Sequence, residues 1–237
     1  MNRIFVCGDT HGMLNVKKIE RLIEKERLTY EDYIIICGDA GIVWSDETTA
    51  HFIEFYESLG INVLFIDGNH ENFHDLKRYP IETWNGGCTH KISEHVRYLC
   101  RSQVFDFLGR KFLTLGGADS HDKEFREENV SWWKEEGITK TDILIAYENL
   151  AKVNFKVDYV LTHTPSHIFA KSLFELFTRC GEEFPSYLLT KLNHNESGKL
   201  LDGIELDVKF KKWFCGHWHI DEKMGKSQVL FENIVEI

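Results

Sequence analysis

"IFVCGDTHG" runs from Ile4 to Gly12, "IIICGDAG" from Ile34 to Gly41, and "LFIDGNHE" from Leu64 to Glu71. Each is an apolar run closed by a glycine and a polar residue: Asp9, Asp39 and Asn69, spaced 30 positions apart. The runs Arg3–Cys7, Tyr33–Cys37 and Asn62–Ile66 are short and nearly continuous in Ile, Val, Phe and Tyr, as strands buried on both faces are. Between the first two lies Leu14–Arg27, with Leu14, Ile19, Leu22 and Ile23 at helical spacing among Lys, Glu and Arg. Between the next two lies Asp46–Leu59, with Phe52, Ile53, Phe55 and Tyr56. This order predicts successive βα units in a parallel sheet. Parallel strands end on one edge, where open α/β sheets form ligand sites. Asp9, Asp39 and Asn69 are therefore expected side by side. Gly8, Gly38 and Gly68 leave room for the backbone to turn and approach a ligand. Cys7, Cys37 and Asp67 are expected one rung deeper on the same face, the cysteines as small apolar residues beneath the site.

The chain has 237 residues, 43% of them apolar, enough for one large domain with an ample core. Only 3 prolines occur, and no linker-like tract divides the sequence, so a single domain over residues 1–237 is expected. A formal net charge of −10 argues against long nucleic acids and anionic membranes as partners. No run of about 18 apolar residues suggests a transmembrane helix. The N-terminus reaches Asp9 too early for a signal-peptide core. Six cysteines with no CxxC pair read as free thiols in a reducing cytoplasm.

Two further apolar runs end in histidine. "VDYVLTHTP" (Val157–Pro165) delivers His163, and "KKWFCGHWHI" (Lys211–Ile220) delivers His217 and His219, which at i and i+2 of an extended segment can point the same way. Five strand ends then offer Asp9, His11, Asp39, Asn69, His163, His217 and His219. Carboxylate and amide oxygens mixed with imidazoles suit Mn, Fe, Zn or Ni. Seven donors exceed what one such ion takes and match two ions sharing a carboxylate.

In these motifs the chain resembles the calcineurin-like metallophosphoesterases. That family's D-x-H, G-D, G-N-H-[DE], lone His and G-H-x-H motifs stand here as Asp9-Thr10-His11, Gly38-Asp39, Gly68-Asn69-His70-Glu71, His163 and Gly216-His217-Trp218-His219. The ordered set spans residues 9–219 and is far more specific than any one motif. The resemblance implies an α/β fold of two mixed β-sheets packed face to face with helices outside, a four-layer αββα sandwich. It places one metal on Asp9, His11 and His219 and the other on Asn69, His163 and His217, with Asp39 bridging them. The cofactors implied are two divalent or trivalent transition-metal ions, with Mn favoured and Fe, Zn or Ni as alternatives. Two such ions clamp an in-line displacement at phosphorus, activate the attacking water and stabilise the phosphoryl oxygens. His70, beside a ligand without being one, is then the candidate donor of a proton to the leaving oxygen.

The implied activity is hydrolysis of a phosphorylated small molecule or peptide. The protein Ser/Thr phosphatases of the family extend the second motif to G-D-x-x-D-R-G, whereas this chain reads Gly38-Asp39-Ala40-Gly41-Ile42-Val43-Trp44. The Asp that would orient the catalytic His and the phosphate-binding Arg are missing there. The chain looks closer to the small bacterial branch of the family. A phosphodiesterase or nucleotide hydrolase on the same centre is the alternative enzyme reading. A non-catalytic scaffold is disfavoured because every motif position is filled. Insertions near 116–155 and 166–207 are placed to contact substrate. In the first, Arg126 is a candidate phosphate ligand. Trp132 and Trp133 are candidates for stacking, with core packing the simpler role for at least one. "FDFLGRKFLTLGG" and "SQVLFENIVEI" are expected as antiparallel strands of the second sheet.

Overall fold

The three N-terminal apolar runs form neighbouring parallel strands: β1 (Ile4–Cys7), β2 (Tyr33–Cys37) and β3 (Asn62–Ile66). The structure, a computed structural model, describes residues 2–237. Helices α1 (Lys17–Glu26) and α2 (Asp46–Ser58) connect the three strands. A capping box sets the start of α2, with Ser45 accepting from the Thr48 N–H while the Thr48 hydroxyl accepts from the Ser45 N–H. A short helix α3 (Phe73–Leu76) follows β3. The sheet continues through β4 (Ile81–Trp84), β5 (Gly87–Lys91) and β6 (Val96–Leu99).

The second sheet begins with a hairpin, β7 (Gln103–Phe107) and β8 (Arg110–Leu115), as the sequence suggested. It adds β9 (Tyr159–Thr162), β10 (Lys212–Cys215), β11 (Glu222–Met224) and β12 (Ser227–Val229). Its order is β11-β12-β10-β9-β8-β7; that of the first sheet is β13-β1-β2-β3-β6-β5-β4, with β13 being Val235–Glu236. The C-terminal stretch is thus shared between the sheets. Ser227–Val229 pairs parallel with β10, and Val235–Glu236 pairs antiparallel with β1. The expected antiparallel strand of the second sheet is limited to Ser227–Val229, which also pairs antiparallel with β11, while the rest of the stretch turns to the first sheet.

The two sheets pack face to face. Ile4, Val6, Ile35, Leu64 and Ile66 meet Phe105, Phe107, Phe112, Leu161 and Phe214 in a fully apolar layer. Ile19 of α1 and Tyr56 of α2 cover the outer face of the first sheet. Helices α4 (Lys140–Ala151) and α7 (Glu196–Asp207) cover the second, with Ala146, Leu150, Leu201 and Ile204 against Leu113, Val160 and Trp213. Helices α5 (His167–Cys180) and α6 (Ser186–Asn193) pack through Phe169, Leu173, Leu188 and Leu192 onto Trp218. The architecture is a four-layer αββα sandwich. Parts of both sequence insertions therefore serve as its outer layer. Among the described residues no helix is long and apolar enough to cross a membrane. All six cysteines are free.

One detail of register matters for the site. The ladder pairs Ile4 with Tyr33 and Tyr33 with Asn62, a step of 29 where the motifs repeat every 30. A one-residue offset reverses the face presented. Cys7 aligns with Ile36 and packs under the helices, whereas Cys37 packs between the sheets. The two thiols do not share a face, contrary to the sequence expectation. Burial raises both thiol pKa values, that of Cys7 to about 11, so neither is a reactive thiolate.

Candidate metal centre

The C-terminal ends of β1, β2, β3, β9 and β10 meet at one edge of the sandwich. The loops following β1 and β2 are zipped together by His11 N–H to Asp39 O (2.8 Å) and Gly12 N–H to Ala40 O (2.8 Å). Side chains then leave the backbone in uncommon directions. Asp9, His11, Asp39, His217 and His219 have φ of 45°, 46°, 50°, 64° and 51°. They are five of the twelve non-glycine residues at positive φ among those described. This region costs an L-residue roughly 1–2 kcal/mol, and such strain clusters at functional sites. It also corrects the reading of His217 and His219 as an extended pair. Gly38, at φ 83°, is required both by its backbone and by space, because a Cβ there would strike the His163 ring.

The donors fall into two groups around Asp39. In the first, His11 Nε2 lies 3.1 Å from His219 Nε2 and 3.8 Å from Asp39 Oδ2, and His219 Nε2 lies 3.3 Å from Asp9 Oδ1. In the second, His163 Nε2 is 3.3 Å from both Asp39 Oδ1 and Asn69 Oδ1, and His217 belongs to the same cluster. Asp39 belongs to both, and each group could hold a metal ion.

The hydrogen bonds behind these groups aim their lone pairs inward. His163 Nδ1 donates to Cys37 O at 2.8 Å, leaving Nε2 bare in the neutral ring. Nε2 therefore faces two oxygens that are acceptors themselves. Such a set is satisfied by a cation, and a proton is the substitute without one. Burial pushes His163 down, but the Asp39 carboxylate outweighs it and lifts the imidazole to about 9. Burial also opposes ionisation of Asp39, yet the surrounding imidazoles, His163 foremost, hold its carboxyl well below the usual range. His217 is driven well below its ordinary value by burial and then by Lys191. The donor chemistry fits two transition-metal ions sharing Asp39.

His70 is adjacent to both groups and ligates neither in this arrangement. Its backbone N–H donates to Asp39 Oδ1 at 2.7 Å, while its ring sits edge-on to His11 with centroids 5.3 Å apart. Its Nε2 lies 3.1 Å from the Arg126 guanidinium. Arg126 in turn pairs with Asp122 at 2.9 Å. The first insertion thus brings Arg126 to the site, away from the neighbouring glutamates. Burial pushes His70 down to about 4, Asp39 opposing and Arg126 adding to the effect. Glu71 completes the motif by accepting from the Ala40 N–H at 2.8 Å, which fixes the turn after Asp39. Trp133 is buried edge-on against Trp44 at 5.5 Å and is a core residue.

Several supporting residues escaped sequence reasoning. The buried Lys18 ammonium donates to the carbonyls of Gly8, Asp9 and Phe231, and Phe231 stacks on His219 at 4.7 Å. Its signal was a lysine beside Ile19 and four residues before Leu22, on the face of α1 that packs against the core. Lys191 of α6 donates to His217 O. Arg101 clamps Asp67 at 2.5–2.7 Å and donates to the carbonyls of Glu135, Glu136 and Gly137. That ties the insertion carrying Arg126 to the end of β3. No local pattern marks either residue, since their partners are distant in sequence.

The chain belongs to the calcineurin-like phosphoesterase family, whose description matches residues 2–221. That membership makes it a metal-dependent phosphoester hydrolase in class. Among solved structures, TT1561 of Thermus thermophilus aligns at a TM-score of 0.52 and 12% identity, covering 99% of this chain and 97% of its own. Another aligns at 0.51 and 12% identity, covering 97% and 89%. At this identity the likeness is one of fold. A search of curated proteins finds no match.

Proposed function

We propose that this single-domain protein hydrolyses phosphoesters at a dinuclear centre in which Asp9, His11 and His219 hold one ion, Asn69, His163 and His217 hold the other, and Asp39 is shared. The observation that carries this reading is the pair of inward-facing donor sets around Asp39, with His163 Nε2 only 3.3 Å from two acceptor oxygens. The mixed oxygen and imidazole donors favour Mn²⁺ as the loading ion, with Fe, Zn or Ni as alternatives. When bound, two such ions supply positive charge at the phosphoryl oxygens and activate the attacking water.

The chain's own residues supply the rest. Arg126, held beside His70, turns its N–H donors to the phosphoryl oxygens as substrate arrives, a charge-assisted contact. That frees His70 Nε2, and the entering dianion favours a proton there. His70 then passes this proton to the leaving oxygen as the ester bond breaks. Its backbone N–H keeps Asp39 oriented throughout. The missing G-D-x-x-D-R-G extension and the use of Arg126 from an insertion favour a small phosphorylated substrate over a phosphoprotein. Six free cysteines fit a reducing, cytoplasmic setting.

The test is hydrolysis of p-nitrophenyl phosphate, bis-p-nitrophenyl phosphate and a phosphopeptide by Mn²⁺-loaded and EDTA-treated protein. Metal-dependent release of p-nitrophenol supports the reading, and the preferred ester separates phosphatase from phosphodiesterase. No turnover of any ester with Mn²⁺, Fe²⁺, Zn²⁺ or Ni²⁺ contradicts it.

A further inference from the structure

Asn69 presents a problem that the other proposed ligands do not. A carboxylate or a bare imidazole nitrogen binds a cation directly, but a carboxamide has one end that binds and one that repels. His163 Nε2 lies 3.3 Å from Asn69 Oδ1. That single contact, to a ring nitrogen that donates or accepts according to its protonation, leaves the amide able to turn its N–H₂ toward the site and present no oxygen to a metal.

The first insertion supplies what prevents this. Ser120, buried and just beyond the end of β8, accepts a hydrogen bond from Asn69 Nδ2 at 3.0 Å, 51 residues away in sequence. The backbone holds Ser120 in place: Gly117 N–H donates to Asp67 O at 2.9 Å and Ala118 N–H to Glu136 O at 3.0 Å. A hydroxyl that accepts from the amide must send its own proton elsewhere. Ser120 and Glu136 line one cavity of about 320 Å³. Glu136 is buried, and neither of its carboxylate oxygens has an aligned hydrogen-bond partner. Burial raises its carboxyl, and Ser120 is the neighbour that most favours its ionised form. A buried acceptor without a partner is costly. The Ser120 proton is the donor at hand, because a hydroxyl hydrogen rotates to suit its surroundings.

We propose that Ser120 is a positioning residue for the second metal: it accepts a hydrogen bond from the Asn69 N–H₂, donates its own O–H to Glu136, and so fixes Asn69 with Oδ1 facing the site. Orientation runs one way along this chain, since Glu136 accepts, Ser120 then accepts from the amide, and the amide oxygen is left for the cation. This rests on the dinuclear reading above and adds a residue from outside the family motifs.

The experiment is calorimetric titration of the metal-free protein with Mn²⁺, using wild type, Ser120→Ala, Ser120→Thr and Glu136→Met, each checked for native circular dichroism. Losing an outer partner of a metal ligand lowers affinity by about 10–100-fold. Ser120→Ala and Glu136→Met should weaken one of the two sites by that factor and leave the other within about threefold. Ser120→Thr, which keeps the hydroxyl and has the cavity to take its methyl group, should restore it. Unchanged affinities, equal weakening of both sites, or failure of Thr to rescue would overturn the assignment. A folded wild type that binds fewer than two ions would overturn the dinuclear reading itself, and this inference with it.

Discussion

Replacing His70 by alanine separates chemistry from metal binding. The His70 contact to the shared carboxylate is made by the backbone N–H, 2.7 Å from Asp39 Oδ1, and survives truncation of the side chain. The lost ring takes with it one hydrogen-bond partner, Arg126, and an edge contact with His11. A hydrogen bond of this kind contributes about 0.5–1.5 kcal/mol to stability, so the variant should stay folded and keep both metals. What disappears is proton donation to the leaving oxygen. General acid catalysis contributes about 10²–10⁴ in rate, which corresponds to about 2.7–5.5 kcal/mol of barrier. The full loss is expected for an alkyl phosphate, whose alkoxide must be protonated as it departs. A p-nitrophenyl ester leaves as a stable anion and should slow far less. The assay is kcat for both esters with wild type and His70→Ala, with metal content measured on the same samples. Equal slowing of both esters, or loss of a metal ion, would refute the reasoning and move His70 into the metal-binding set.

Three other outcomes are expected. Arg126→Ala removes a charge-assisted phosphate contact of about 1.5–3 kcal/mol, so kcat/KM should fall about 10–150-fold; a change under twofold by initial-rate kinetics would return Arg126 to a purely structural pair with Asp122. In metal-free protein, His11→Gly should be about 1 kcal/mol more stable than His11→Ala by urea denaturation, because alanine retains the strain of φ 46° and glycine does not; equal stabilities would mean that the left-handed turn stores no strain. Burial raises the Glu136 carboxyl to about 7 in the folded chain, above its unfolded value, so its ionisation weakens folding as pH rises from about 4.5 towards 7 and the loss is complete above that; Glu136→Gln should therefore gain on the order of 1–3 kcal/mol over wild type at pH 8 relative to pH 4.5, and a gap independent of pH would show that Glu136 ionises freely.

The clustered donors were legible as strand-end residues because each follows an apolar run, and parallel strands of a sheet end on one edge. That β1–β3 and β9–β10 belong to two sheets whose edges meet was not legible from the runs themselves. The sandwich was legible only through the motif resemblance, since periodicity alone gives βα units and no second sheet. Register was not legible. The motifs repeat every 30 residues, but ladder hydrogen bonds pair β1, β2 and β3 at 29, and that single residue sends Cys7 and Cys37 to opposite faces. His217 and His219 lie two apart, yet left-handed backbone directs them to different clusters. Arg126 was reachable as a cation in a loop following a strand end, but its contact with His70 depends on how the insertion folds back. Ser120, Lys18 and Lys191 carried no motif. They act on backbone carbonyls or on a partner far along the chain, and tertiary structure alone makes those contacts.

The central claim is that two metals share Asp39, and counting ions tests it most directly. Wild type and Asp39→Asn are loaded with Mn²⁺, freed of excess ion and analysed for manganese per chain. The account predicts about two ions for wild type and losses at both sites in Asp39→Asn, because the one carboxylate lies 3.3 Å from His163 and 3.8 Å from His11. A single ion in wild type, or an Asp39→Asn variant that keeps two ions at undiminished affinity, would contradict it.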